Sequence, residues 1–120
     1  MKHTYSLKNN YDFRRLYAKG KSKADPLLAV YCRFNSRRYN RLGLTTGAKL
    51  GNAVLRNRLR RRIREAYRLN EDKLRTGCDI VVVGRMRAVK ADYRAIEHSL
   101  IHLFRSLGLI KHEETSDKTD

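Results

Sequence analysis

The chain has 120 residues, with 28 Lys or Arg against 12 Asp or Glu, a formal net charge of +16. That length suits one domain with a modest core. No run of about 18 apolar residues is available to span a bilayer, and the opening residues Met1-Lys2-His3-Thr4-Tyr5-Ser6 read as lacking a secretory signal. The 41% hydrophobic content exceeds that of a wholly disordered basic tail. So much positive charge on so small a body repels itself. It points to a polyanionic partner, with nucleic acid ahead of an anionic membrane surface or a plainly solvated face. Cys32 and Cys78 form no CxxC, which suggests two buried thiols in a reducing, cytoplasmic setting.

In chain order, a helix is predicted to start after Asn9, with Asn9 as its cap and Asp12 returning the bond in a capping box. Phe13, Leu16 and Tyr17 share one face of it, and Gly20 ends it. Residues 21–26 read as a polar connector holding the only proline. Residues 27–34 and 41–46 read as strands joined by a basic, turn-rich loop over 35–40. Gly47 and Gly51 bracket a short loop containing Lys49, and the longest helical pattern follows from Asn52 to about Leu74, stopped by Gly77. The β-branched run over 79–83 suits a central strand buried on both sides. After a basic connector over 85–89, residues 90–107 form a last helix with Tyr93, Ile96, Leu100, Leu103 and Leu107 on one stripe. Residues 111–120 carry a net −2, leaving +18 on residues 1–110. The domain therefore reads as residues 1–110, with 111–120 as an acidic, disordered tail.

The most informative stretch lies between Gly51 and Arg68. It places seven arginines from 56 to 68 beside a single acid, Glu65. At helical spacing, Leu55, Leu59, Ile63 and Ala66 form an apolar stripe flanked by Tyr67. The opposite face holds Asn57, Arg61, Arg64 and Arg68, flanked by Arg56 and Arg60 on one side and by Arg58 and Arg62 on the other. Such a helix is ordered by its core face and presents a fixed cationic ridge. The planar guanidinium fork suits phosphate oxygens. A solvated helix face normally mixes charge signs, and this one does not. No helix-turn-helix or zinc-finger spacing is present, so RNA is favoured and DNA is not expected.

Catalysis by the chain itself is not expected, because two-metal phosphodiester hydrolysis needs converging carboxylates. The eight acids of residues 1–110 are scattered. His98 and His102 stand four residues apart without a third ligand or an HExxH pattern. No catalytic residue and no metal site are assigned.

The stretch Lys49-Leu50-Gly51-Asn52-Ala53-Val54-Leu55-Arg56-Asn57-Arg58, followed by Arg61 and Arg64, resembles the RNR signature of the bacterial ribonuclease P protein components. The flanks are similar too: Asp12-Phe13-x-x-x-Tyr17-x-x-Gly20, then Tyr31, then Gly-x-Asp-Ile-Val-Val-Val. The resemblance spans roughly residues 5 to 108. It implies an α+β fold, a compact two-layer α/β sandwich of order αβββαβα with a left-handed βαβ crossover. Handedness rules alone would give the opposite hand. Only two strands are legible before the arginine helix. A third would come from splitting 27–34 and 41–46 differently, or from a piece near 37–46.

The resemblance further implies the protein subunit of the ribonuclease P ribonucleoprotein. Its partners would be the catalytic ribonuclease P RNA and precursor tRNA. The RNA would carry the active site and most of the Mg²⁺, and the holoenzyme would remove the 5′ leader endonucleolytically. Phe13, Tyr17 and Tyr31 match aromatic positions lining a leader cleft, where Tyr17 is often Phe. Periodicity alone would place Phe13 and Tyr17 with Leu16 in the core. Lys49, Asn52, Arg56, Asn57, Arg58, Arg61 and Arg64 match the RNA-binding motif, and Arg60, Arg62 and Arg68 add charge. Ala48 stands where relatives often carry a basic or hydroxylic residue. The competing readings are a ribosomal or chaperone-like RNA-binding module and a protein-only nuclease, the latter opposed by the missing carboxylates.

Overall fold

The structure, a computed structural model, describes residues 1–111. The acidic tail expected over 111–120 thus lies outside the described residues except for Lys111. The elements are β1 (Thr4–Ser6), α1 (Asn10–Lys19), β2 (Lys21–Ala24), β3 (Leu28–Phe34), β4 (Asn40–Thr45), α2 (Ala53–Asn70), β5 (Cys78–Gly84) and α3 (Tyr93–Ser106). Short 3-10 turns occupy Ala48–Leu50, Glu71–Lys73 and Met86–Lys90. All five strands join one sheet in the order β1-β4-β5-β3-β2. β1 and β5 both run parallel to β4, while β3 is antiparallel to β5 and to β2.

The apolar run predicted as a central strand is β5, with Ile80, Val81 and Val82 fully buried. Alternation divides its side chains between two faces. Ile80 and Val82 join Leu28, Val30, Cys32 and Leu42 under α2 and α3, the main core. Val81 joins Leu16 of α1 and Leu7 on the opposite face, with Phe13, Tyr31 and Val83 packed around them. The mixed α+β sandwich therefore has α2 and α3 on one side of the sheet and the shorter α1 on the other.

The third strand expected before the arginine helix is β2, which lies in the polar segment 21–26 rather than within 27–34 or 37–46. All four of its residues are exposed, so no apolar alternation marks it, and its pairing with β3 defines it. β1 was also unread. It has three residues and exists through its register with Asn40, Arg41 and Leu42. The arginine helix ends at Asn70 rather than near Leu74. There the buried Asn70 amide donates to the Ala66 carbonyl at 2.8 Å and to Glu97 Oε2 at 2.8 Å. The last helix begins at Tyr93, where Asp92 caps it by accepting from the Ala95 N–H at 2.9 Å. Asn9 caps α1 by accepting from the Tyr11 N–H at 2.8 Å. Asp12 closes no capping box and turns to Arg41 at 3.4 Å. Both cysteines are free thiols, and burial pushes Cys32 up to about 11.

Glu71 fastens β1 to the rest of the molecule. Its carboxylate, only 5% exposed, accepts from the backbone N–H groups of Lys2 at 2.8 Å and His3 at 2.9 Å and from the Thr4 hydroxyl. Burial works against its charge, but these hydrogen bonds and the His3 charge outweigh it and hold the carboxyl below the usual range. A depressed folded-state pKa gives stability that is complete above the unfolded value of about 4.3 and lost as pH falls through the lower folded value. Glu71→Gln should therefore cost about 1–3 kcal/mol at neutral pH, with the gap narrowing in acid. Urea melts at the two pH values check this. Equal stability of both proteins at neutral pH would contradict the anchoring role.

Candidate nucleic-acid interface

Asn52 sets the start of α2. Its side-chain oxygen accepts from the Leu55 N–H at 3.0 Å, after Gly51 has turned the chain at φ 132, a conformation L side chains rarely adopt. From that cap, Leu59, Ile63, Ala66 and Tyr67 enter the core. The Leu59 side chain lies so near Gly84 that a Cβ there would come within 2.7 Å of it. The helix is thereby fixed in rotation, and its outer face carries Asn57, Arg58, Arg61, Arg64 and Arg68, all exposed. Lys49 is exposed on the preceding 3-10 turn.

These cations differ in what holds them. Arg68 is clamped by Glu65 through two bonds of 3.0 and 2.6 Å. Arg62 donates to the Ala91 carbonyl at 2.8 Å, and Arg60 to Asn57 Oδ1 at 3.3 Å. The Arg56 Nε is buried with no hydrogen-bond partner among the described residues. Arg58, Arg61 and Arg64 make no hydrogen bond or ion pair among the described residues. The ridge predicted from periodicity is present, but its unengaged guanidinium groups are concentrated at 58, 61 and 64.

The acids behave oppositely. Each of the eight in residues 1–110 is engaged. Asp12 and Asp79 meet Arg41, Asp25 accepts from Ser99 and from two backbone N–H groups, and Glu65 holds Arg68. Glu71 holds the N-terminal segment, Asp72 lies 4.0 Å from Lys2, Asp92 caps α3, and Glu97 accepts from Asn70 and Tyr93. Among the described residues, no three His, Cys, Asp or Glu side chains gather as a metal cage. His98 and His102 acquire no third ligand there.

On the other face of the sheet, Phe13, Tyr17 and Tyr31 come together as a sequence of rings. Tyr17 meets Tyr31 edge-on at 4.9 Å between centroids and lies 6.5 Å from Phe13. Phe13 and Tyr31 are half-buried, whereas Tyr17 is 42% exposed, with its hydroxyl 3.3 Å from Thr45 Oγ1. Leu16 alone of the α1 stripe is fully in the core. Gly43 admits the Phe13 ring: a Cβ there would stand 2.5 Å from the ring's Cζ.

Phe13 links the aromatic cluster to the arginine ridge, for it lines one depression with Arg60 and Arg64 and another with Tyr17 and Arg14. A hollow of about 230 Å³ is lined by Phe13, Gly43 and Tyr5 together with Arg60 and Arg64. All three residues of β1 also line it. Tyr5 and the hollow's other N-terminal lining residues escaped the sequence reading, because three residues of strand leave no periodicity to detect.

The family model for ribonuclease P matches residues 1–108. The chain belongs to the ribonuclease P protein family. It is 44% identical over 110 residues to the ribonuclease P protein component of Alkaliphilus metalliredigens, covering 92% of this chain and 99% of that one. The RNase P protein of Staphylococcus aureus superposes with a TM-score of 0.82 at 36% identity, over 89% of this chain and 98% of that one. The Thermotoga maritima RNase P protein gives 0.77 at 32% identity, over 83% and 96%. The chain is thus a protein subunit of ribonuclease P, a ribonucleoprotein of tRNA 5′ processing in which ribonuclease P RNA is its partner. No helix among the described residues is long and apolar enough to cross a membrane.

Gly43→Ala should push the Phe13 ring out of the shared hollow. The expected result is a changed Phe13 and Tyr17 ring environment in NMR spectra and weaker single-stranded RNA binding. Unchanged ring shifts would show that the close approach at Gly43 does not position Phe13.

Proposed function

We propose that the Phe13–Tyr17–Tyr31 cleft binds the single-stranded 5′ leader of precursor tRNA while the α2 ridge seats the protein on the catalytic RNA. The observation that carries this is the hollow shared by Phe13, Arg60 and Arg64. There the Phe13 ring, with Tyr17 6.5 Å beyond it, stands beside phosphate-seeking cations, as a single strand with both bases and phosphates requires. Ring faces accept any base, so such a cleft tolerates leaders of varied sequence.

In this reading the protein contributes positioning and charge, and the RNA contributes the reacting centre. Two polyanions must approach, and Arg58, Arg61 and Arg64 lower their mutual repulsion without competition from internal carboxylates. The Mg²⁺ ions of the reaction are held mainly by the RNA. The acids among the described residues are engaged in holding the fold, and no three of them gather as an oxygen set for such an ion. Its setting is the cytoplasm, where precursor tRNA is made.

Two experiments test the division of labour. Tyr17→Ala and Tyr31→Ala should each weaken holoenzyme binding of a long-leader substrate, with a cost of about 1–3 kcal/mol per lost stack. Binding of a substrate lacking the leader should be unaffected. Equal losses on both substrates would return the rings to a purely structural role and favour a generic RNA-binding module. Arg61→Ala and Arg64→Ala should weaken assembly with the catalytic RNA and flatten its salt dependence by about 0.7–0.9 per lost phosphate contact. An unchanged slope would exclude phosphate contacts at these positions.

A further inference from the structure

A second basic site lies across α1 from the aromatic cleft. There α1, the end of β3, the starts of β4 and β5 and the loop between β3 and β4 line a pocket of about 370 Å³. Four arginines line it, Arg15, Arg33, Arg37 and Arg41, with two acids, Asp12 and Asp79. Both acids are occupied by Arg41. Its guanidinium grips Asp79 through two bonds of 2.8 and 2.7 Å and reaches Asp12 at 3.4 Å. Asn35 adds a further bond to Asp79 at 3.0 Å.

Arg33 is therefore left over. It stands directly across the β3–β5 ladder from Asp79, yet that carboxylate is already held by Arg41 and Asn35. Its Nη1 is buried without a hydrogen-bond partner among the described residues. Arg15 lies over the Tyr11 ring at 5.5 Å. Arg37 donates to the Tyr39 hydroxyl at 3.1 Å and lies near that ring at 5.8 Å. Neither has a carboxylate partner in these contacts. Four guanidinium groups and two carboxylates thus line one pocket with a net charge of +2, and both carboxylates make their hydrogen bonds to Arg41 or Asn35 rather than to Arg15, Arg33 or Arg37. The pocket's positive charge lacks a matching anion among the described residues, and an anion with several acceptor oxygens supplies one.

We propose that this pocket binds a phosphodiester group of RNA, held by the Arg33 fork with Arg15 and Arg37. The proposal rests on the RNA-binding reading above and extends it to a site on the opposite flank of α1. The phosphate has two available sources, the catalytic RNA and the precursor tRNA.

The test measures binding of the catalytic RNA by the protein, and of precursor tRNA by the holoenzyme, across a salt series. The variants are Arg33→Met, Arg33→Lys and Arg37→Gln, with Arg61→Ala as reference. Arg33→Met keeps the stem and removes the charge. It should lower affinity severalfold for one or both RNAs and reduce the salt slope by about 0.7–0.9. Its melting temperature should hold or rise, because a buried donor without a partner among the described residues is gone. Arg33→Lys should retain the slope and lose part of the affinity, and the exposed Arg37→Gln should repeat the slope loss without a folding effect. The RNA whose binding suffers identifies the source. Unchanged affinity and slope for both RNAs, with Arg61→Ala still impaired, would overturn the pocket and leave the ridge intact. A fallen melting temperature in Arg33→Met with unaltered RNA binding would likewise overturn it and make Arg33 structural. If Arg61→Ala is also without effect, the RNA-binding reading itself fails.

Discussion

Strand β5 is the constraint on which the other parts depend. Its fully buried Ile80, Val81 and Val82 must be covered from both sides, and the chain supplies two different covers. On one face α2 and α3 close a large core. On the other, the ten-residue α1 rests on the much smaller cluster around Leu16 and Val81. A short helix cannot cover a five-stranded sheet, so sheet surface beside it stays accessible, and the half-buried rings of Phe13 and Tyr31 stand there with the more exposed Tyr17. The same requirement that buries β5 thus leaves a cleft next to α1 and holds α2 with its arginines outward.

Charge is divided along the same lines. The acids of the first 110 residues serve as caps, clamps and anchors, so among the described residues the fold engages the negative charge. What remains outside is positive and unevenly held. Arg41 is a structural cation inside its two-carboxylate pair, Arg62 and Arg68 are partly tied down, and Arg58, Arg61 and Arg64 are unengaged among the described residues. A protein that screens repulsion between two RNAs needs this asymmetry, because cations already paired with carboxylates would have to exchange partners before gripping phosphate.

Much of this was legible in the residues, for identifiable reasons. The arginine helix announces itself because its period of 3.6 separates Leu59 and Ile63 from Arg61 and Arg64 without ambiguity. β5 announces itself as a β-branched run bounded by Gly77 and Gly84. β2 and β1 do not, because one is an all-exposed edge and the other is three residues defined by tertiary pairing. Periodicity placed Phe13 and Tyr17 in the core beside Leu16, and only the family resemblance separated them. In the structure Leu16 is buried with Val81, Phe13 packs half-buried on that same cluster against Gly43, where the absent side chain makes room, and Tyr17 stands exposed. The pocket around Arg33 was beyond sequence reasoning, since it depends on which of two arginines the Asp79 carboxylate chooses.

In the proposed division of labour the protein positions substrate while RNA performs the chemistry. The most direct measurement is cleavage of a precursor tRNA at low Mg²⁺ by the protein, by a bacterial ribonuclease P RNA and by the two together. Cleavage at the mature 5′ end is expected from the mixture, with none by the protein alone and little by the RNA alone. Cleavage by RNA-free protein, or no stimulation of the RNA by protein that binds it tightly, would contradict it.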